Sequence, residues 1–508
     1  MESVVRIKRY YKRTKIIATM GPAITQKLWD YKAFNDPTNA DVKKLAYEKM
    51  EGVIMSGVTC CRLNFSHGSY DEHQIRIDLA REIAKKTKRN ISIMLDTKGP
   101  EIRVGKIDNG PVPIKKNSEV VIYTTTDIVG NANKFSVSDS TNTYNMANDV
   151  SDDDIVLVDD GKLQLKISSV DAKKGIIKTI ALNDHYINDK KRINLPGVEY
   201  SIPFLSKKDR EDILYGIKNK VDYIAASFVN SAKNVNEIRD FLKENHGEFI
   251  QIISKIESTN AIKNIDEILA ASDGIMVARG DLALEIPYYD VPYWQKYIIR
   301  KCRLIGKPVI IATQMLDSLE RNIQPTRAEV TDVYFAVDRG ADCTMLSGES
   351  AQGQFPVEAV YTMRRINKRS ELLFDYQRSI KWYFKKNKYF PKYARKTAIK
   401  IAKECLPFGE AVAPTFKYNF VVIFSNDQTL IQAISNIRPA ATIIVITDQK
   451  ELLTRFGINY AIQTHYVENL AQAMNDYKAI SRSAVNRFEP EEKQAIAFIN
   501  NKFKTINE

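Results

Sequence analysis

The chain has 508 residues, of which 44% are hydrophobic and 27% charged, and its formal net charge is +13 at pH 7. This length allows two to four domains, and no run approaches the roughly 18–20 apolar residues of a membrane span. The basic residues are spread along the chain without a nucleic-acid-binding motif, so anionic small substrates and plain solubility explain the charge better than RNA or DNA. The N-terminus lacks a signal-peptide core, and the five cysteines lack zinc-ligand spacing, so we expect a cytoplasmic protein without a membrane or nucleic-acid partner.

Eight short apolar runs occupy the first 350 residues, and amphipathic stretches with helical periodicity lie between them. Most of these runs are apolar at consecutive positions, which is typical of strands buried on both faces of a parallel sheet. The runs cover residues 15–21, 59–66, 92–97, 223–229, 252–257, 274–279, 308–314 and 343–347. Eight such units predict a closed TIM (β/α)8 barrel.

Two other segments depart from this pattern. Residues 99–203 show short alternating runs separated by turn signals, which predicts an all-β domain inserted after the third strand and able to act as a lid. The last part of the chain predicts an open α/β sheet, with a charged helical stretch over 490–503. The predicted boundaries are 1–98 and 204–372 for the barrel, 99–203 for the inserted domain and 373–508 for the C-terminal α/β domain, which is shortened.

Lys255 and Glu257 lie two residues apart in the fifth run and must share one face of a strand. Asp281 follows the sixth run, so a second carboxylate is expected near this pair. Such a cluster suits a divalent ion and an anionic substrate. It equally suits a structural ion pair between neighbouring strands, and these residues alone leave both readings open.

Reactive side chains also follow most of the other predicted strands. Because barrel enzymes place their chemistry at the carboxyl ends of the strands, the grouping favours catalysis over helix capping. The residues concerned are Arg62, Asn64, Ser66, Asp96, Lys98, Arg279, Thr313, Gln314, Ser347 and Glu349.

In order along nearly the whole chain, several motifs resemble those of the pyruvate kinase family. They are TKII at 14–17, GP at 21–22, RLNFSHG at 62–68, DTKGPEIR at 96–103, NLPG at 194–197, SKIE at 254–257, MVARGDL at 276–282, ATQML at 312–316, PTRAE at 325–329 and MLSGE at 345–349. The resemblance implies phosphoryl transfer from phosphoenolpyruvate to ADP, giving pyruvate and ATP. It also implies a barrel with an inserted β domain and a C-terminal α/β domain, which agrees with the reading from periodicity.

Roles for individual residues follow from this resemblance. Arg62 and Lys255 would hold the phosphoryl group, and Glu257 and Asp281 would bind Mg²⁺ or Mn²⁺. The backbone amides near Gly280 and Asp281 would open a short helix and receive the substrate carboxylate. The remaining catalytic assignments are Thr313 beside the enolate carbon, with Ser347 and Glu349 supporting the proton path.

The resemblance also implies nucleotide contacts and a monovalent-cation site. The nucleotide contacts are Arg62, Asn64, His67, Arg103 and Lys191. The ligands of K⁺ are Asn64, Ser66, Asp96 and Thr97, and a glutamate at position 101 is found in family members that require K⁺.

Regulated family members bind a sugar bisphosphate in the C-terminal domain through a Ser/Thr-rich loop and a glycine-rich loop. Here the first loop contains Asp427, which would repel phosphate, and we expect no second loop or final strand, so we predict no activation by fructose 1,6-bisphosphate. A homotetramer is implied by resemblance alone. The alternatives are another phosphoenolpyruvate- or oxoacid-handling barrel enzyme, and a binding role toward RNA or a protein partner.

Overall fold

The computed structural model describes residues 12–25, 30–139, 143–409, 414–490 and 492–506. The first eleven residues of the predicted barrel segment 1–98 therefore lie outside the described residues, as do positions 26–29, 140–142, 410–413, 491 and 507–508. The predicted domain boundaries stay a prediction. The predicted strands and helices each have a counterpart in the described residues or differ from them as follows.

The segment before the insertion contains three barrel strands, which are buried at nearly every position. The helix after the second strand begins with a capping box, in which the Ser69 hydroxyl accepts from the Glu72 amide and the Glu72 carboxylate accepts from the Ser69 amide. The elements are β1 (Lys15–Thr19), α1 (Pro22–Thr25), α2 (Tyr31–Asn35), α3 (Ala40–Ser56), β2 (Cys60–Asn64), α4 (Tyr70–Thr87) and β3 (Ser92–Asp96).

The insertion is a small all-β structure, as the alternating pattern predicts. Its elements are β4 (Ile102–Val104), β5 (Val112–Ile114), β6 (Glu119–Tyr123), β7 (Lys134–Ser138), β8 (Ile155–Val158), β9 (Leu163–Asp171), β10 (Ile176–Ala181), β11 (His185–Ile187) and β12 (Arg192–Asn194). Seven of these strands close a barrel in the order β10-β6-β7-β4-β12-β8-β9, and β11 pairs with β5. Along β9, Leu163, Leu165 and Ile167 point into an apolar core while the residues between them are exposed.

The barrel resumes after the insertion and supplies five further strands. The elements are α5 (Lys207–Lys218), β13 (Tyr223–Ala226), α6 (Ala232–Glu244), β14 (Gln251–Ile256), α7 (Thr259–Lys263), α8 (Ile265–Ala271), β15 (Gly274–Ala278), α9 (Arg279–Glu285), α10 (Val291–Leu304), β16 (Val309–Ala312), α11 (Arg327–Arg339), β17 (Cys343–Leu346), α12 (Gly348–Ala351) and α13 (Pro356–Leu373). The strand order is β1-β17-β16-β15-β14-β13-β3-β2, a closed barrel. All eight predicted strands are confirmed within a few residues, so the fold class predicted from periodicity is correct.

The C-terminal part forms a separate five-stranded sheet. Its elements are α14 (Tyr376–Lys386), α15 (Lys392–Glu404), β18 (Phe420–Phe424), α16 (Gln428–Ile437), β19 (Thr442–Thr447), α17 (Leu452–Arg455), β20 (Ile462–Tyr466), α18 (Leu470–Asn475), α19 (Tyr477–Phe488), β21 (Ala495–Ile499) and β22 (Lys502–Thr505). The order is β20-β19-β18-β21-β22, in which only the β21–β22 pairing is antiparallel. Val421 and Ile423 pack on one face of β18, and Phe420 and Val422 pack on the other, as expected of a doubly wound sheet.

The predicted charged helix over 490–503 is wrong. Its central residues form β21, which is buried throughout and pairs with β18, and the chain then returns as β22. Asn500 and Asn501 have φ values of +51° and +59°, the left-handed conformation of a two-residue hairpin turn. The expectation that this domain lacks a final strand is therefore also wrong, because burial between two helical layers outweighs the charges that precede the run.

The described chain divides into two compact units, and the division passes through β3 and β13 of the barrel. One unit comprises residues 1–94, 221–223 and 297–508, and the other comprises 95–220 and 224–296. No helix among the described residues is both long and apolar enough to cross a membrane. All five cysteines are buried free thiols.

Candidate active site

In the unit that contains the insertion, the Lys255 ammonium lies at the centre of a buried polar cluster. Its Nζ donates to Oδ1 of Asp96 at 3.1 Å and to Oγ of Ser227 at 2.8 Å, and lies 3.0 Å from Oε1 of Glu257. Lys255 is 9% exposed, and both carboxylates are 1% exposed. The cluster joins residues that lie on or immediately after β3, β13 and β14, so the predicted pairing of Lys255 with Glu257 is confirmed.

Hydrogen bonds between strand ends hold the Lys255 partners in place. The Ser227 hydroxyl donates to the Thr97 carbonyl oxygen at 2.6 Å, and the Ser227 amide donates to the Thr97 hydroxyl at 3.1 Å. The backbone amide of Thr97 in turn donates to the carbonyl oxygen of Ala225. Because these groups are buried and mutually bonded, the position of the ammonium is set by backbone geometry as well as by charge.

Glu257 and Asp281 form a pair of close carboxylates. Oε2 of Glu257 accepts from the amide of Phe228 at 2.7 Å, whereas Oε1 has no hydrogen-bond donor among the described residues apart from its ion pair with Lys255. Burial raises the pKa of Glu257 to about 7, against the attraction of Lys255 and with added repulsion from Asp281. Burial also opposes ionisation of Asp281, but Arg192 and Lys255 hold the pKa of that carboxyl below its usual value.

This arrangement fits a divalent ion by its chemistry. Glu257 is buried and the Asp281 side chain is only 23% exposed, and two carboxylates this close repel each other unless cations lie between or beside them. No group of three or more His, Cys, Asp or Glu side chains suited to a metal occurs in the described ranges. Any divalent ion held here would therefore keep positions for substrate or water oxygens.

Helix α9 begins at Arg279, directly after β15, as expected from the sequence. The amides of Gly280 and Asp281 belong to its first turn, whose backbone N–H groups point toward the N-terminal end of the helix. The side chain of Asp281 is therefore carried by the same turn as these donors. This local geometry suits an anionic group, because the amides and the helix dipole both favour negative charge.

The inserted domain contributes cationic side chains to the same unit. Arg103 donates from Nη2 to Glu101 at 2.8 Å, and Lys191 donates to Asp159 at 2.8 Å. Arg103 and Lys191 keep 31% and 39% of their side-chain surface exposed, so both can reach a further anion. Asp159 also faces His185 at 3.1 Å.

In the other unit, Arg62 is 8% exposed and lies in the middle of β2. Its Nη1 donates to the Thr19 hydroxyl at 2.9 Å, and that hydroxyl donates to the carbonyl oxygen of Leu346 at 2.9 Å. This chain of bonds links β2, β1 and β17 and orients the guanidinium.

Three of the predicted nucleotide and cation ligands, Asn64, Ser66 and His67, lie at the end of β2 and in the loop that follows it. Oδ1 of Asn64 accepts from the Ser66 amide at 3.2 Å, and the His67 amide donates to the carbonyl oxygen of Asn64 at 3.2 Å. His67 is exposed. Of the four K⁺ ligands predicted by resemblance, Asn64 and Ser66 belong to this unit, and Asp96 and Thr97 belong to the other.

Thr313 follows β16 in a strained conformation. Its φ is +66° and that of Gln314 is +52°, which is unfavourable for a β-branched residue followed by a second side chain. The Thr313 hydroxyl donates to the carbonyl oxygen of Ala312 at 2.6 Å. Local strain at a strand end is typical of positions that hold a functional group in a fixed direction.

Glu349 is a buried brace between two strand ends. Its Oε1 accepts from the Leu316 amide at 3.0 Å and its Oε2 accepts from the Ser347 amide at 2.7 Å, which connects the loop after β16 with the end of β17. Burial raises the pKa of this carboxyl, although the two amides favour its charged form. The geometry adds this structural role to the proton-path role implied by resemblance.

Three contributors were not anticipated from the sequence. Ser227 and Asp159 were given no role from the sequence, and only the folded structure shows that they hold Lys255 and Lys191. The third is Arg192, whose Nη1 lies 2.5 Å from Oδ1 of Asp281. The sequence signal that could have revealed Arg192 is its position next to Lys191 and just before the NLPG motif.

Fold and residues together define a barrel enzyme that acts on an anionic substrate, with acidic side chains suited to a divalent ion. The family model for the pyruvate kinase barrel domain matches residues 11–360. Pyruvate kinase of Mycoplasma pneumoniae is 49% identical over 505 residues, covering 98% of this chain and 99% of that protein. The corresponding protein of Mycoplasma genitalium is 48% identical, covering 94% and 95%.

Solved structures agree with these relatives. A crystal structure of a pyruvate kinase from Cryptosporidium parvum has a TM-score of 0.83 and 32% identity, covering 97% of this chain and 95% of that chain. The chain belongs to the pyruvate kinase family, which transfers the phosphoryl group of phosphoenolpyruvate to ADP in glycolysis. It is therefore a phosphotransferase, as the motifs predicted.

Proposed function

We propose that Lys255 and Arg62 hold the phosphoryl group of phosphoenolpyruvate during its transfer, and that Lys255 also faces the enolate that forms. Phosphoryl transfer spreads negative charge over several oxygens, so catalysis consists largely of positioning and charge neutralisation. The observation that carries this proposal is the buried Lys255 ammonium, held at 2.8–3.1 Å by Asp96, Ser227 and Glu257. An ammonium fixed in this way needs no reorganisation when charge develops beside it.

Glu257 and Asp281 are the proposed ligands of Mg²⁺ or Mn²⁺. The closeness of the two carboxylates and the burial of Glu257 support this assignment. When bound, such an ion neutralises developing charge on phosphoryl and enolate oxygens. The two side chains fix its place relative to Lys255.

Other groups are proposed to contact the carboxylate and the enolate carbon of the substrate. The amides of Gly280 and Asp281 would receive the carboxylate, in keeping with their place in the first turn of α9. Thr313 would lie where the enolate carbon is protonated, with Ser347 and Glu349 supporting the proton path. The fixed strand-end conformations of Thr313 and Ser347 support these roles.

ADP and ATP are proposed to contact Arg62, Asn64, His67, Arg103 and Lys191. The partial exposure of Arg103 and Lys191 and the exposure of His67 support contacts to a ligand from solvent. Arginine and lysine suit the charged phosphates of a nucleotide. These contacts would orient the diphosphate for attack on the transferring group.

A K⁺ ion is proposed at Asn64, Ser66, Asp96 and Thr97, which supply hard oxygen donors with one formal charge. Glu101 is acidic, so it cannot supply the positive charge that K⁺ would bring. Its carboxylate pairs with Arg103 at 2.8 Å. We expect pyruvate formation to require K⁺. Full activity in a buffer free of K⁺ and Na⁺ would refute this assignment.

Regulation by fructose 1,6-bisphosphate is proposed to be absent. Asp427 accepts from the Leu430 amide at 3.0 Å and from the Tyr393 hydroxyl at 2.7 Å, so a carboxylate already occupies the start of α16. Residues 458–508 contain no glycine, although the final strand is present after all. A strong leftward shift of the phosphoenolpyruvate saturation curve on adding this compound would contradict the proposal.

Assembly and location follow the resemblance. We propose a homotetramer in the cytoplasm, which sedimentation of the purified protein and fractionation of the source cells would test. A dimer or monomer at assay concentrations would overturn the assembly.

The decisive experiment on the site replaces Lys255 with methionine, which keeps the length of the side chain and removes its charge. Pyruvate formation, measured in a coupled assay with Mg²⁺ and K⁺ saturating, should fall by about 100- to 1,000-fold. The matched control is Lys263→Met, at an exposed lysine on α7. Equal activity in wild type and Lys255→Met would end the assignment of Lys255.

A further inference from the structure

Arg192 lies against both proposed metal-binding carboxylates. Its Nη1 is 2.5 Å from Oδ1 of Asp281, and its guanidinium stacks at 4.7 Å on the ring of Phe228, whose amide bonds Glu257. Only 17% of the Arg192 side chain is exposed. A fixed positive charge therefore already neutralises Asp281 from one side.

The guanidinium has an unused donor. Nη2 of Arg192 is buried and has no hydrogen-bond acceptor among the described residues. A guanidinium carries five N–H donors in a planar fork, and a buried donor without an acceptor is unfavourable. This donor is therefore free to bind a further oxygen.

The strand that carries Arg192 is surrounded by cations suited to phosphate. Arg192 is the cross-strand partner of Arg103 in the β12–β4 pairing, so their side chains share one face, and Lys191 precedes it. Arg103 and Lys191 pair with Glu101 and Asp159. Arg192 differs from these two because its acid partner is a proposed metal ligand.

We propose that Arg192 is a positioning residue that competes with the divalent ion for Asp281 and, once displaced from it, binds a phosphate oxygen. The inference rests on the proposed role of Asp281 as a metal ligand. The guanidinium already neutralises Asp281 and occupies one acceptor position on Oδ1, so it repels an ion that approaches the same carboxylate and competes with that ion for its negative charge. A guanidinium released from Asp281 would bind a phosphate most favourably, because two phosphate oxygens match the planar arrangement of its N–H donors.

The first test measures Mn²⁺ binding to the substrate-free enzyme from the electron paramagnetic resonance signal of unbound Mn²⁺. Arg192→Gln should bind Mn²⁺ about tenfold more tightly than wild type, because the competing charge is gone, whereas Arg192→Lys should stay closer to wild type. Lys178→Gln removes one exposed charge from the same domain and serves as the control. An unchanged dissociation constant in Arg192→Gln would overturn the competition.

The second test measures KM at saturating Mn²⁺. Arg192→Gln should raise the KM for ADP or for phosphoenolpyruvate about tenfold, and the substrate affected identifies the phosphate that Arg192 binds. Arg192→Lys should recover part of the loss. If neither KM changes, Arg192 does not bind phosphate, even where the variant lowers thermal stability.

Asp281→Asn separates failure of the inference from failure of the proposed function. Mn²⁺ binding should weaken at least about tenfold in this variant if Asp281 is a ligand. If Asp281→Asn binds Mn²⁺ as wild type does, the metal assignment itself is wrong. If Asp281→Asn loses Mn²⁺ but Arg192→Gln changes nothing, the metal assignment stands and the role of Arg192 is wrong.

Discussion

At the scale of single residues, the position of Lys255 depends on a hydroxyl that belongs to no motif. Ser227 accepts from Lys255 at 2.8 Å and donates to the Thr97 carbonyl oxygen at 2.6 Å, so it connects the ammonium to the backbone of a neighbouring strand. Asp96 and Glu257 supply the opposite charge, at 3.1 and 3.0 Å from the ammonium. The Ser227 hydroxyl is therefore the partner that determines the position of the ammonium most directly.

We expect Ser227→Ala to lower kcat about tenfold, which corresponds to the roughly 1.4 kcal/mol of one hydrogen bond to a charged group. Steady-state pyruvate formation measures this effect, with circular dichroism to confirm folding. Ser168→Ala, at an exposed hydroxyl on β9, is the control. A kcat equal to wild type would mean that the two carboxylates alone position Lys255.

At the scale of elements, the ends of neighbouring barrel strands are joined by side chains that accept backbone amides. Glu349 accepts from Leu316 and Ser347 at 3.0 and 2.7 Å and is 1% exposed. It therefore fixes the loop after β16 against the end of β17. The strained Thr313 lies in that loop, so its conformation depends on this brace.

Replacing Glu349 with alanine should destabilise the protein by about 2–4 kcal/mol, because two buried amides lose their acceptor. Differential scanning fluorimetry should show a lower midpoint of thermal unfolding, and Glu349→Gln, which keeps one acceptor, should fall between. If Glu349→Gln loses activity with an unchanged midpoint, the residue acts on protons and not as a brace.

At the scale of the whole molecule, buried charges connect the C-terminal sheet to barrel strands within one compact unit. Arg438, which follows α16, pairs with Asp342, which directly precedes β17, at 3.0 Å. Lys15 of β1 donates to the carbonyl oxygen of Ile462 on β20 and has no acid within ion-pair distance among the described residues. Burial lowers the pKa of Lys15 to about 7.

This shift predicts a pH-dependent stability. The unfolded chain keeps the Lys15 proton up to about pH 10.5, whereas the folded protein releases it near pH 7, so stability should rise with pH between these values. The slope from one such group is at most about 1.4 kcal/mol per pH unit. Thermal unfolding midpoints between pH 7 and 9 should rise less steeply in Lys15→Met than in wild type. Lys207→Met, at an exposed lysine, should keep the wild-type slope.

The barrel was predictable because its strands are buried on both faces. When an apolar run followed by a polar end recurs eight times, few structures other than a barrel of buried parallel strands explain it. Strands β1, β14 and β15 begin and end within two residues of the predicted bounds. The same reasoning failed at β21. There, five apolar residues follow a charged stretch, and only the neighbouring strand β18 decides that they form a strand.

The sequence by itself determined the barrel, the inserted β structure and the identity of the charged residues at the strand ends, because these depend on local periodicity and on side-chain chemistry. Only the tertiary structure decided which partners those residues have. Ser227 on Lys255 and Arg192 on Asp281 join positions 28 and 89 residues apart, and no local pattern encodes such a distance. Hydrogen bonds and charges act over a few ångströms, so their pairing exists only once the chain has closed on itself.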